Sequence, residues 1–182
     1  MKKIIRIALI TSLILVCILV FSSCKIDFLH TGPLGLEYEI IHGSDTHVII
    51  TGIGTCTNTN LIIPSTLDGY KVTKIQTGAF ANCDHLKSIT IPDSVTSIGS
   101  YPFMKCSNLT SIAVAEGNPK YHSSGNCLIE TESKTLIAGC PSSVIPTDGS
   151  VTRIGNNAFR GCDSLTSITI QIGRASCRER VS

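Results

Sequence analysis

A chain of 182 residues with nine cysteines, no Trp, 5% aromatic residues and a formal net charge of +2 has the length of one domain. Its positive charge sits at the ends: Lys2, Lys3 and Arg6 open the chain, Arg174, Arg178 and Arg180 close it, and the body between is mildly acidic. With no basic cluster in that body, nucleic acid is excluded as its natural partner.

In chain order, Lys2, Lys3 and Arg6 precede a charge-free apolar run from Ala8 to Phe21, and Ser22 and Ser23 lead to Cys24. This is the plan of a secretory signal peptide over residues 1–24. The run is short for a membrane span, which needs about 20 apolar residues. VFSSC looks like a bacterial lipobox, in which Cys24 becomes the lipid-carrying N-terminus; an ordinary cleaved signal and an uncleaved anchor are the alternatives. Residues 25–35, with turn-forming Gly32 and Pro33, read as a tether to the membrane.

Residues 36–60 contain two β-rich runs, LEYEII from Leu36 and HVIIT from His47, separated by HGSD. They predict a hairpin that caps the end of whatever stack follows. His42 and His47 read as loop and strand-end polar residues, and Gly52 and Gly54 as turn glycines. No phosphate-loop Lys follows them.

From Leu61 the chain turns repetitive. After a first rung, LIIPSTLDGYKVTKI, the text VTKIQTGAFANCDHLKSITIP from Val72 returns 23 residues later as VTSIGSYPFMKCSNLTSIAV from Val95. A third copy, VTRIGNNAFRGCDSLTSITI, starts at Val151. Phe80, Phe103 and Phe159 share one position, Cys83, Cys106 and Cys162 another, and Leu86, Leu109 and Leu165 a third. One copy buries too little apolar surface to offset its ordering entropy, so copies must stack and share a core. Alternating residues such as Leu86, Ile89 and Ile91 predict strands of a parallel sheet, ended by Pro92. A second short segment carries Val95 and Ile98, with Gly99 or Gly155 turning the corner. The AF-x-x-C stretch is a short turn or a helical turn, and the three phenylalanines should stack as a spine.

Residues 118–149 interrupt the period. Within them Leu128 and Ile129 face Leu136 and Ile137 across ESK, an inserted hairpin that either projects for binding or lies as a lid over the core. The end departs from the pattern again: residues 171–182 resemble a translated sequencing adapter and are set apart from the fold.

The fold expected is therefore a mainly β solenoid of period 23. Cys83, Cys106 and Cys162 read as buried thiols of the core. Cys127 and Cys140 flank the hairpin, and their pairing is left open. Neither metal nor cofactor chemistry has a motif to stand on, and no catalytic constellation occurs. Glu130 and Glu132 belong beside a solvated turn.

These repeats resemble the bacterial leucine-rich-repeat proteins of the BspA type, whose unit reads approximately L-x-x-I-x-I-P-x-x-V-x-x-I-G-x-x-A-F-x-x-C. The resemblance covers roughly residues 38–170. It implies a surface-exposed module that is not an enzyme and that binds a protein or surface glycan, held at the bacterial cell surface as a membrane-anchored lipoprotein. A passive stalk presenting some further domain is the alternative.

Overall fold

The computed structural model describes residues 30–31, 34–163, 165 and 168, so Cys24, the tether up to Leu29 and residues 171–182 lie outside what is described. Within the described residues the chain forms short strands and turns but no helix. In chain order the strands are β1 (His30–Thr31), β2 (Glu37–Ile41), β3 (His47–Gly52), β4 (Asn60–Ile62), β5 (Thr66–Leu67), β6 (Tyr70–Ile75) and β7 (Ser88–Ile91), followed by β8 (Ser97–Ile98), β9 (Ser111–Val114), β10 (Tyr121–Ser124), β11 (Cys127–Glu130), β12 (Thr135–Ala138) and β13 (Arg153–Ile154).

Every second residue of β3, and Tyr38 in β2, turns to the core, so one face of that antiparallel hairpin is buried. Tyr38, Val48 and Ile50 on this face are buried. β3 then pairs in parallel with β6, matching Val48 to Val72 and Ile50 to Ile75. β6 pairs in parallel with β8, matching Ile75 to Ile98. The second sheet runs β4, β7, β9, all parallel. Its β7 and β9 meet as Ser88 to Ser111, Ile89 to Ile112, Thr90 to Ala113 and Ile91 to Val114. Between β4 and β7 the offset grows to 28 residues. The surplus is the hairpin of β5 and β6, whose Asp68 and Gly69 take φ of 50° and 83°, the two-residue turn that an Asp-Gly pair favours.

A third side is built from turns. The N–H groups of Gly78, Phe80 and Asn82 donate to the carbonyls of Ser100, Pro102 and Met104 at 3.0, 3.1 and 2.8 Å. Two positions in this turn need a left-handed backbone. The first is held by Gly78, Tyr101 and Asn157 (φ 67°, 55° and 61°), the second by Asn82, Lys105 and Gly161 (φ 59°, 58° and 77°). Gly99 and Gly155, expected to turn the corner, have no positive φ and serve another purpose. A Cβ on Gly99 would overlap the Thr77 backbone, and one on Gly155 would lie 2.8 Å from the Leu136 carbonyl oxygen. They are glycine because neighbouring chain segments approach too closely for a side chain.

The insertion neither projects nor forms a lid. It is a three-stranded meander, β10–β11–β12, and it supplies core: Cys127, Leu128, Ile129 and Leu136 are fully buried. A bulge shifts the expected register, so that Ile129 meets Leu136 but Leu128 meets Ala138 rather than Ile137. Gly125 and Asn126, both with φ of 57°, make the tight turn between β10 and β11. β12 then pairs in parallel with β13, Leu136 to Ile154. The core accordingly has two parts, a large one from Leu36 to Cys140 and a smaller one around Cys127, Ile129, Leu136, Ile145 and Ala158.

Candidate interaction surface

The side chains that fill the inside leave three surfaces to consider. Phe80 and Phe103 stack with centroids 6.1 Å apart and planes at 27°. Phe159 does not extend that pair: it packs with the second cluster, its ring occupying the space beside Gly139. The insertion displaces the third copy from direct stacking, which is why two rings pair and the third stands apart. Leu86 and Leu109 are buried, and Leu165 is half-buried. Cys56, Cys83, Cys106, Cys127, Cys140 and Cys162 are all free thiols. Cys127 and Cys140 therefore form no bridge. Cys127 points its Sγ at the carbonyls of Gly125 and Val144, and Cys140 points its own at that of Asn126.

Three of these thiols lie where the thiolate is disfavoured, while the hydrogen bond with Cys106 lowers Cys83. Cys106 donates to the Phe80 carbonyl at 2.9 Å, and its hydrogen bond with Cys83, followed by burial, pushes its pKa well up. Burial pushes Cys162 up to about 11 and raises Cys127. A reactive thiol needs the opposite environment.

The outward face of the second sheet carries Asn60, Ser88 and Ser111 in one row and Ile62, Thr90 and Ala113 in the next. The Ser88 hydroxyl donates to Asn60 Oδ1 at 2.8 Å. Ile62, 69% exposed, is the one large apolar side chain in these rows. Ser167 and Thr169, at the matching positions of the third copy, lie outside the described residues. Such a face is small and hydroxylic, without the Tyr, Trp and Arg side chains that dominate tight interfaces.

A second surface is the junction where the regular copies give way to the insertion. Here side chains take the place of the missing backbone rung. The Ile98 N–H donates to the Tyr121 hydroxyl at 3.1 Å and the Val114 N–H to the Ser123 hydroxyl at 3.1 Å. Asn118 does most. Its Nδ2 donates to the carbonyls of Pro92 and Val95, both at 2.9 Å. Its Oδ1 accepts from the N–H groups of Lys120 and Tyr121 at 2.9 and 2.8 Å. Sequence reading placed Asn118 only at the edge of an insertion. The one hint was its place in GNP, just where the period fails.

On the turn side of the same junction, residues far apart in sequence meet. The Asn157 amide donates to the Tyr101 hydroxyl at 3.2 Å, and the Arg160 guanidinium lies over the Tyr101 ring, 5.2 Å from its centroid. Tyr101, Asn157 and Arg160 were not singled out by sequence. Position comparison across the copies would have found them, since Gly78 and Ala81 occupy the places of Tyr101 and Met104 in the first copy.

Among the described residues no group of three or more His, Cys, Asp or Glu side chains is placed to hold a metal ion, and no helix is long and apolar enough to cross a membrane. His47 Nδ1 lies 2.8 Å from its own loop's Asp45 carbonyl oxygen, a local contact. Glu130 is engaged by Ser133 and by Lys120, at 2.6 and 3.5 Å.

Short parallel strands joined by turns, with apolar side chains matched from one copy to the next, define a leucine-rich-repeat architecture. The chain belongs to the BspA type leucine-rich-repeat region family, which matches it in six copies over residues 54–126 and 133–180. No curated protein matches it at a significant level. Among solved structures it is similar to a leucine-rich repeat protein from Eubacterium ventriosum, with 26% identity and a TM-score of 0.51 over 61% of this chain and 29% of that one. It is similar also to the leucine-rich repeat protein TpLRR of T. pallidum, with 26% identity and a TM-score of 0.50 over 76% of this chain and 70% of that one. A leucine rich cell surface protein from Faecalibacterium prausnitzii shares 28% identity at a TM-score of 0.48, over 78% of this chain and 34% of that one. The chain thus spans about a third of the length of the Eubacterium and Faecalibacterium proteins.

Proposed function

We propose that this is an exported protein held at the bacterial cell surface through Cys24, whose repeats coil as a solenoid of period 23 and bind a protein or surface-glycan ligand without transforming it. The observation that supports the reading best is the register. Ile75 matches Ile98, Ser88 matches Ser111 and Ile89 matches Ile112, each pair 23 residues apart. A stack in that register offers rows of side chains at about 4.8 Å spacing, a surface for contact and not an enclosed reaction centre. Family membership and the signal-like start agree with it. The hairpin of β2 and β3 acts in this reading as the cap of the coil.

A passive stalk is the second reading. It is favoured by the small hydroxylic sheet face.

Two experiments test the proposal. Immobilised protein is screened against arrays of host matrix proteins and glycans. Selective retention of one class is expected, and blank arrays throughout sink the binding reading in favour of the stalk. Separately, Cys24→Ala expressed in a bacterial host is expected to lose incorporation of labelled fatty acid and to leave the membrane fraction. Unchanged labelling removes Cys24 as the anchor.

A further inference from the structure

We propose that Tyr101, Asn157 and Arg160 form the contact point for an acidic side chain of a protein partner. The inference rests on the binding reading above and names the class of partner.

The trio forms where the turn sides of the second and third copies meet across the insertion. Tyr101 takes φ of 55°, a left-handed backbone that a bulky side chain adopts only when its surroundings hold it there. Asn157, itself left-handed at the matching position, donates to the Tyr101 hydroxyl at 3.2 Å, and Arg160 lies over the ring at 5.2 Å. The ring and the guanidinium therefore orient each other before any partner arrives, which lowers the entropy lost on binding. The first copy has Gly78 and Ala81 where the later ones have Tyr101 and Arg160, so its turn side carries no such group.

Charge decides what fits. The ion pair of Lys120 and Glu130 is the only one among the described residues, which leaves the Arg160 guanidinium without a carboxylate. Lys105, whose backbone and Cγ lie beside Gly161 across the junction, is a second cation nearby, and Asp163 follows Arg160 three residues on. A guanidinium over a tyrosine ring keeps N–H donors free for a planar carboxylate, which it meets through two parallel hydrogen bonds. Size decides between ligand kinds. The crevice beside the trio, lined by Met104, Ile137 and Ala158 among others, has room for little more than a water molecule and opens to solvent, far short of the roughly 300 to 1,000 Å³ of pockets that enclose small ligands. A sugar ring finds no enclosure there. A protruding Glu or Asp on a protein surface does not need one, and Tyr with Arg is the composition of protein contact centres.

The test uses the full chain and a fluorescein-labelled decapeptide rich in Glu, read by anisotropy, with a Lys-rich decapeptide and a hyaluronan oligosaccharide in parallel. The Glu-rich peptide is expected to bind. Arg160→Ala should weaken it by about tenfold or more, since a charge-assisted bidentate pair is lost. Arg160→Lys should restore part of the affinity, and Lys71→Ala, an exposed cation on the β6 strand, should change nothing. Arg160 is exposed, so circular dichroism should show the fold intact. Equal weakening by Arg160→Ala and Lys71→Ala would overturn the proposal as unspecific charge, as would an Arg160-dependent response to hyaluronan with none to the Glu-rich peptide. Should Arg160→Ala bind the peptide like the wild type while the protein still retains an array ligand, this site is wrong and the binding reading stands.

Discussion

Replacing Asn118 by Ala isolates the idea that a side chain stands in for a missing rung. The amide makes four hydrogen bonds, to the carbonyls of Pro92 and Val95 and from the N–H groups of Lys120 and Tyr121. The one from Lys120 is exposed, and water replaces it at little cost. The other three are partly buried, and at a net worth of about 1 kcal/mol each their loss sums to about 3 kcal/mol. Asn118→Asp tests the two sides of the amide separately. It keeps the acceptor for Tyr121 but sets a carboxylate against two carbonyl oxygens, so it should destabilise at least as much as Ala. Urea denaturation followed by circular dichroism measures both, with hydrogen exchange reporting the Tyr121 amide, which should lose protection. A cost below about 0.5 kcal/mol for Asn118→Ala, the range of an ordinary surface change, would refute the reasoning and return Asn118 to the status of a loop residue.

Gly99→Ala should destabilise by about 1 to 3 kcal/mol through overpacking against the Thr77 backbone, while Gly43→Ala, with open space around it, should be silent in the same melt. Burial, then the hydrogen bond to Asp68, raises the Tyr38 hydroxyl to about 12. A folded pKa above the unfolded one means stability fully present below about pH 10 and lost as pH rises toward 12; Tyr38→Phe should flatten that alkaline fall in urea titrations. The thiols of Cys83, Cys106, Cys127 and Cys140, all buried, should resist an aromatic disulfide reagent in the native protein and react promptly in urea. Fast native labelling would show that the core opens.

What the sequence disclosed follows from what repeats disclose. Phe80 and Phe103, Cys83 and Cys106, Leu86 and Leu109 recur in the sequence and are buried in the fold, and that recurrence was legible without coordinates. The left-handed positions were not. Asn82, Lys105 and Gly161 share a backbone conformation but not a residue type, so only glycine and asparagine hinted at it, and Lys105 gave no sign. Gly99 and Gly155 misled for the converse reason: glycine marks both a positive φ and a close approach, and the letter alone does not say which. The meander was half-read. Its ESK turn was plain, but β10, a strand of mostly polar residues, has little apolar alternation to reveal it.

The candidate site was illegible because it lies where periodicity fails. Along a uniform stack each face repeats the same small residues, and the sheet rows of Asn60, Ser88 and Ser111 give no side chain enough area to anchor a partner. An irregular rung changes that in two ways. It calls for unusual side chains to close the backbone, as Asn118, Tyr121 and Ser123 do, and it brings side chains 56 residues apart, Tyr101 and Asn157, to one point. Both effects come from the same physical cause, the loss of a backbone ladder that must be replaced from side chains. On the proposed binding reading the copies supply rigidity and length, and the break between copies supplies the individuality that recognition requires. If Arg160→Ala and Lys71→Ala prove equally harmless or equally harmful to binding, the break carries no more information than the repeats, and that division of labour is wrong.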